Sequence, residues 1–268
     1  MRIGIFAKTF PGTDPATTIT AARTAGYDTV QYNMACSGLP PMPDAIPDGT
    51  LQAIANAASQ TPITALSATY NMIHPDPAVR TTGLNRLKLL IKSAATLHIP
   101  MVTLCTGTRD ATDQWRAHPD NETPAAWADL LTELAKAAEL AEAQGILLGI
   151  EPELANVVSS AAKARKLLDT LQSPSLAIIL DPANLFETSP APGKIINHAI
   201  DLLAGRIHMA HAKDRAPDGS FATAGKGVIN FPSFLATLKA SGFTGDLITH
   251  GLTPDEAPGV ARYLRSLT

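Results

Sequence analysis

The sequence predicts an α/β protein built as a single (β/α)8 (TIM) barrel, and three observations carry that prediction. The chain has 268 residues, close to the roughly 250 that eight strand–helix pairs need. Eight short apolar runs suited to buried parallel strands recur along it, each separated from the next by a segment with helical spacing. Polar residues able to hold a metal end the last four of those runs. Eight alternations of this kind select a closed barrel over an open sheet.

The strand segments are Ile3 to Ala7, Thr29 to Tyr32, Ile63 to Ala68, Met101 to Cys105, Ile146 to Glu151, Leu176 to Asp181, Arg206 to His211 and Asp246 to His250. Punctuation between them marks helices. Pro15 to Ala25 stops at Gly26, and Thr123-Pro124 opens a long helix, proline in its first turn, that Gly145 ends. Phe234 to Ala240 ends at Gly242 in the same way, and these glycines are expected in left-handed backbone. The proline-rich stretches GLPPMPDAIPDG and TSPAPG fall where strands hand over to helices and read as loops over one barrel mouth. The longest loop, TGTRDATDQWRAHPDNETP after the fourth strand segment, holds Arg109, Trp115, Arg116 and His118. Such a loop reads as a lid, or else as a surface loop with incidental polar residues. With no low-complexity tract or linker, residues 1–268 read as one domain.

Composition narrows the function. Hydrophobic residues make up 45% and charged residues 17%, the balance of a well-buried enzyme and not of a disordered chain. A formal net charge of −3 argues against nucleic acid as a partner, since phosphate binding leaves a basic stripe. Small neutral or anionic substrates stay open, as does a homo-oligomer. Cys36 and Cys105 are too few and too far apart for a disulfide scaffold or zinc knuckle, which suits a reduced, cytoplasmic compartment. The opening residues lack the apolar run of a signal sequence, and no stretch approaches a membrane span.

Glu151, Asp181, His211 and His250 end the last four strand segments. In a closed barrel those ends converge on one mouth, where side chains from several directions surround a small volume. Two carboxylates and two imidazoles suit one divalent ion. Parity supports the placement, because Leu147 and Gly149 share the face of Glu151, Ile179 that of Asp181, and Met209 that of His211. His208 falls on the opposite, helix-facing side, as a structural histidine.

These residues lie in motifs that resemble a known family over nearly the whole chain, the xylose-isomerase-like sugar phosphate isomerases and epimerases, relatives of which include ketose 3-epimerases, hydroxypyruvate isomerase, inosose-processing enzymes and endonuclease IV. The resemblance is carried by RIGIFAKTF, GIEPE around Glu151, LDPANL from Asp181, HAKD from His211, and GKGVINFPSFLATLKASGFTGDLITHG. Its specific part is the ordered glutamate, aspartate and histidine. It implies a metal held by a glutamate, an aspartate, a histidine and usually a second glutamate, at positions matched here by Glu151, Asp181, His211 and His250. Two positions depart from the pattern. His250 replaces the second glutamate, so a paired-carboxylate mechanism does not carry over. Asn184 stands where many relatives have histidine, which breaks a ligand position of the endonuclease IV-like members.

The expectation is a sugar or sugar phosphate isomerase or epimerase that needs one divalent ion (Mn2+, Mg2+, Co2+ or Zn2+) and moves a proton through a metal-stabilised enediolate. Glu151 is the general base, Glu153 or His250 returns the proton, and Asp181 and His211 are principally ligands. Two alternatives are a metal-assisted lyase or dehydratase acting on a keto-sugar, and a barrel that binds a sugar or metabolite without turning it over. Asn71, His74, Arg109, Asn184 and Lys213 are candidate substrate contacts. Plainer roles exist for some of them: Lys213 and Asp214 as a solvated pair, Asn71 as a turn residue. A ligating, neutral His250 predicts that activity and metal affinity fall together below about pH 6 to 6.5.

Overall fold

Each expected strand segment is a strand, with its ends displaced by at most one residue. The computed structural model describes residues 1–268. In chain order its main elements are β1 (Ile3–Phe6), α1 (Pro15–Thr24), β2 (Thr29–Tyr32), α2 (Thr50–Ala58), β3 (Ile63–Ser67), α3 (Pro77–Thr96), β4 (Met101–Leu104), α4 (Pro124–Glu142), β5 (Leu147–Ile150), α5 (Ala161–Leu171), β6 (Leu176–Leu180), α6 (Pro192–Leu203), β7 (Ile207–Ala212), β8 (Asp214–Arg215), β9 (Phe221–Ala222), α7 (Phe231–Ala240), β10 (Asp246–Thr249) and α8 (Ala257–Arg265). Eight of the strands form a closed barrel in the order β1-β10-β7-β6-β5-β4-β3-β2, every pair parallel. The seam is the pairing of β1 with β10, where Gly4 lies opposite Ile248.

Helix starts follow local chemistry. Asp14, Asp76, Thr123 and Ser160 each accept a backbone N–H of the first turn, and Pro15, Pro77 and Pro124 occupy positions where a missing N–H costs nothing. Gly26, Gly145 and Gly242 turn the chain with φ of 99°, 65° and 85°, as the spacing predicts. Two boundaries differ from expectation. Pro192 and Gly193 of TSPAPG belong to the first turn of α6, and α7 begins at Phe231, three residues before Phe234, because Asn230 caps Ser233.

Strand parity sorts the core into two layers. A large cluster fills the space between strands and helices, while Ala65, Met101, Ala177, Ile179, Met209 and Ile248 form a small one inside the barrel. Ile179, Met209 and Ile248 stand two residues before Asp181, His211 and His250, so these last three continue the inner face upward to the mouth. Gly149 does the same beneath Glu151. A Cβ there would meet Ile179 and Met101 at 2.7 Å, so the inner layer has no room for a side chain.

His208 is exposed, with Nδ1 3.1 Å from the Arg206 carbonyl oxygen. It lies near the start of β7, beside Met1, Arg2 and Asp246 at the end of the barrel remote from the mouth. The periodicity gave no sign of the antiparallel ribbon β8–β9 between β7 and α7. Asp214 anchors it, accepting the backbone N–H groups of Arg215, Gly225, Gly227 and Ile229 at 2.8 to 3.1 Å. No helix is long and apolar enough to cross a membrane.

Candidate metal centre

Glu151, Asp181, His211 and His250 each offer one ligand atom, and these atoms all lie within 4.8 Å of one another. Register explains the meeting. Leu180 pairs with Ala210, so Asp181 is level with His211, while Ile248 pairs with His211, so His250 stands two residues further along the neighbouring strand β10 on the same inner face. His250 Nε2 is 3.2 Å from Asp181 Oδ2, His211 Nδ1 is 3.3 Å from Glu151 Oε1, and His211 Nδ1 is 3.8 Å from Asp181 Oδ2. Donors around an ion at about 2.1 Å stand roughly 3 to 3.5 Å apart, so these three separations are close to what one ion needs, and the wider pairs, up to 4.8 Å, would close by about an ångström. The donor set, two imidazoles and two carboxylates, suits a divalent transition ion.

A second ring of side chains fixes the first. Asn184 Nδ2 donates to Glu151 Oε1 at 2.7 Å, and Lys213 Nζ donates to Asn184 Oδ1 at 2.7 Å. The same ammonium lies 3.0 Å from Asp181 Oδ2. His211 Nε2 donates to Gln31 Oε1 at 3.1 Å, which leaves Nδ1 for the cluster. Gln31 comes from β2, across the mouth, and sequence reasoning missed it. One signal was available: a buried amide within a four-residue strand has to find a partner.

The charges interlock. Burial works against ionisation of Asp181, but Lys213 together with the hydrogen bonds from His211 and His250 outweighs it and holds the carboxyl well below its usual range. Burial likewise opposes charge on Glu151, and His211 overcomes it to lower that carboxyl. His211 responds in turn: burial would lower it, yet Glu151 and Asp181 raise it to about 9. His250 goes the other way, lowered by burial and by the neighbouring His211. The two rings meet edge to face, centroids 4.5 Å apart. In the metal-free protein a protonated His211 therefore supplies positive charge that a metal would replace. Glu153, half-buried beside Glu151, is raised to about 7 by burial and by that neighbour's charge.

Of the expected substrate contacts, Asn184 and Lys213 belong to this second ring. Lys213 and Asp214 are both buried and serve separate partners, so they are not a solvated pair. The other three, Arg109, Asn71 and His74, hold protein partners of their own. Arg109 donates to Asp129 of α4 at 2.6 Å and to the Ile73 carbonyl at 3.0 Å. Asn71 bridges Thr108 N–H and the Asp110 carbonyl, and His74 spans the Ala111 carbonyl and Asp76 N–H. All three staple the loop after β4 to its surroundings. Within that loop Asp110 accepts from Thr112, Asp113 and Arg116, and Asn121 clips Arg109 to Ala155. The expected lid is a segment closed on itself. Beneath it Met42, Tyr70, Asn71, His74 and Arg86 line a cavity of about 570 Å3 to which no member of the cluster contributes.

A family model described as a xylose isomerase-like TIM barrel matches residues 19–267. No curated protein matches the sequence. Among solved structures, the 3-keto-D-glucoside 4-epimerase of E. coli in its apo form is similar at 15% identity and a TM-score of 0.78, covering 99% of each chain. An L-ribulose 3-epimerase is similar at 21% identity and a TM-score of 0.76, over 99% of this chain and 92% of its own. The IOLI protein with a bound zinc atom is similar at 18% identity and a TM-score of 0.73, over 99% of this chain and 96% of its own. At such identities the likeness is one of fold.

Proposed function

The chain belongs to the xylose isomerase-like TIM barrel family, and on that footing we propose that it is a divalent-metal-dependent isomerase or epimerase of a keto-sugar, working as one domain over residues 1–268. The observation that carries this reading is the convergence of Glu151, Asp181, His211 and His250 within 4.8 Å. Sugar epimerases among the similar folds support it. Those four residues would hold the ion, which when bound supplies Lewis-acid polarisation of adjacent sugar oxygens.

The chain's own residues divide the remaining work. Glu151 is the base that takes a proton from the carbon beside the carbonyl, and its bond from Asn184 fixes which way the carboxylate faces. Lys213 keeps Asp181 ionised and its carboxylate oriented. Glu153, raised to about 7, can hold a proton near neutral pH and return it to substrate. That same property favours one second reading, elimination from a keto-sugar, in which Glu153 protonates the leaving group.

The test is to load the protein with Mn2+, Co2+ or Zn2+ and offer keto-sugars in deuterated water, following carbon-bound protons by NMR and products by mass. Solvent deuterium at the carbon beside the carbonyl, with mass otherwise conserved, is the expected result. Loss of water or an aglycone selects elimination. No exchange and no product with any metal and sugar rejects both.

A further inference from the structure

Asn33 follows the last residue of β2 with φ −138° and ψ 143°, so the period of two runs on through it and its side chain shares the inner face with that of Gln31. Register sets its height. Phe6 lies opposite Gln31 and Ile5 opposite Thr249, which brings Gln31 level with His250. Gln31 Oε1 accepts from His211 Nε2 at 3.1 Å. Asn33 therefore stands one pleat, about 7 Å along the strand, above that contact and nearer the solvent. On the neighbouring strand Ala65 pairs with Gln31, so Ser67 shares both the level and the inner face of Asn33.

Asn33 and Ser67 are each only 4% exposed, and each carries a polar atom that the protein does not use. Asn33 Oδ1 accepts the Ala35 N–H at 3.0 Å and caps the short 3-10 helix Met34–Ser37, which fixes the two ends of the amide. That leaves Nδ2 without a protein acceptor. The buried polar atoms sealed from solvent without a partner are Tyr70 Oη, Arg80 Nε and Asn156 Nδ2. Asn33 Nδ2 and Ser67 Oγ are not among them, so both open onto the mouth. Serine and aspartate cap a helix about as well as asparagine, but only asparagine adds an NH2 donor. The cap does not account for that donor. Held at one end and bare at the other, the amide discriminates: opposite an acceptor oxygen it is satisfied, and opposite a methylene it loses its water for nothing.

We propose that Asn33 is a specificity-determining residue, its Nδ2 donating to one hydroxyl oxygen of the bound substrate away from the metal-binding oxygens, and that Ser67 Oγ shares this subsite. A ligand with hydrogen in place of that hydroxyl is rejected. That the ligand is a keto-sugar rests on the isomerase or epimerase reading; recognition of a single ligand oxygen by Asn33 does not.

The experiment titrates the protein, with and without Co2+, with D-fructose, D-psicose, D-tagatose and L-sorbose, and then with forms of the tightest binder that each lack one hydroxyl. Calorimetry reads binding, and proton exchange from solvent is followed in parallel. One deoxy form should bind the wild type about 10-fold more weakly than its parent. Asn33→Ser keeps the cap but brings no donor to the same place. It should bind the parent about 10-fold more weakly and no longer tell that pair apart, at unchanged Co2+ affinity. Ser67→Ala should narrow the same difference. Discrimination that Asn33→Ser abolishes, in a protein that exchanges no proton, supports the role of Asn33 and removes the isomerase reading. Proton exchange with undiminished discrimination in Asn33→Ser keeps that reading and overturns the proposal. The proposal is also overturned if no sugar binds the wild type, if Asn33→Ser binds the parent as tightly as the wild type does, or if it loses Co2+ affinity along with sugar.

Discussion

Lys213 and His250 share one oxygen: the ammonium of the first lies 3.0 Å, and Nε2 of the second 3.2 Å, from Asp181 Oδ2. Asp181 is completely inaccessible to solvent, and a buried carboxylate that loses its cation destabilises a fold by about 3 to 5 kcal/mol. Lys213→Met is therefore expected to destabilise the metal-free protein by about 3 kcal/mol. Saturating Zn2+ should recover much of that loss by supplying the missing charge. Urea unfolding with chelator and with Zn2+ measures both, and an equal loss in the two conditions means that the lysine and the ion do not share Asp181.

Metal uptake should release a proton. His211 in the metal-free protein is raised to about 9, above its unfolded value of about 6.5. Its ionisation thus adds stability that is complete below about pH 6.5 and is lost as pH rises through about 9. Since a ligand nitrogen must be unprotonated, apparent metal affinity should climb about tenfold per pH unit until His211 has titrated. The acid limb then lies above the pH 6 to 6.5 expected from an ordinary histidine, and His250, whose value is lowered, does not set it. Calorimetry near neutral pH in buffers of different ionisation enthalpy should show about one proton released per ion. Release of none sinks the assignment of His211 as a ligand.

His250→Glu should still bind one divalent ion, because a carboxylate oxygen also serves. Replacing an imidazole with oxygen should narrow the preference for Zn2+ over Mn2+ by about 10-fold. Competition between the two ions, measured by metal content after dialysis, gives the ratio directly. His250→Ala should lose affinity for both. Wild-type occupancy in that variant would make His250 a bystander.

Gln31 acts through His211. Gln31→Leu leaves His211 Nε2 without its acceptor and frees the ring to turn, so metal affinity should fall by about 10- to 100-fold. Gln31→Glu, which keeps an acceptor, should retain most of it. Chelator competition on folded variants tests the pair, and unchanged affinity in Gln31→Leu shows that the bond does not orient the ligand.

The convergence of Glu151, Asp181, His211 and His250 was legible because these residues are local to their strands. Each ends a recognisable apolar run, and a period of two separates inner from outer face, so Asp181 follows from Ile179 and His211 from Met209. What lay out of reach depends on partners distant in the chain. Arg109 reads as a free cation until Asp129, twenty residues on, is seen to hold it. The loop partners of Asn71 and His74 likewise cannot be counted from spacing. Strands of two residues, such as Asp214–Arg215 and Phe221–Ala222, carry no period at all, so the ribbon and the place of Phe221 stayed hidden.

The seam between β1 and β10 sets a timetable for the chain's biosynthesis. Polypeptides emerge from the ribosome amino end first, so the strand that closes the barrel, and His250 beyond it, appears after every other strand. Until then Glu151, Asp181 and His211 sit on an open sheet, one donor short. On the proposed reading, loading is accordingly expected of the completed chain, governed by whichever ions surround it at that moment. A nascent or prematurely terminated product lacking this last strand is expected to compete for them less well.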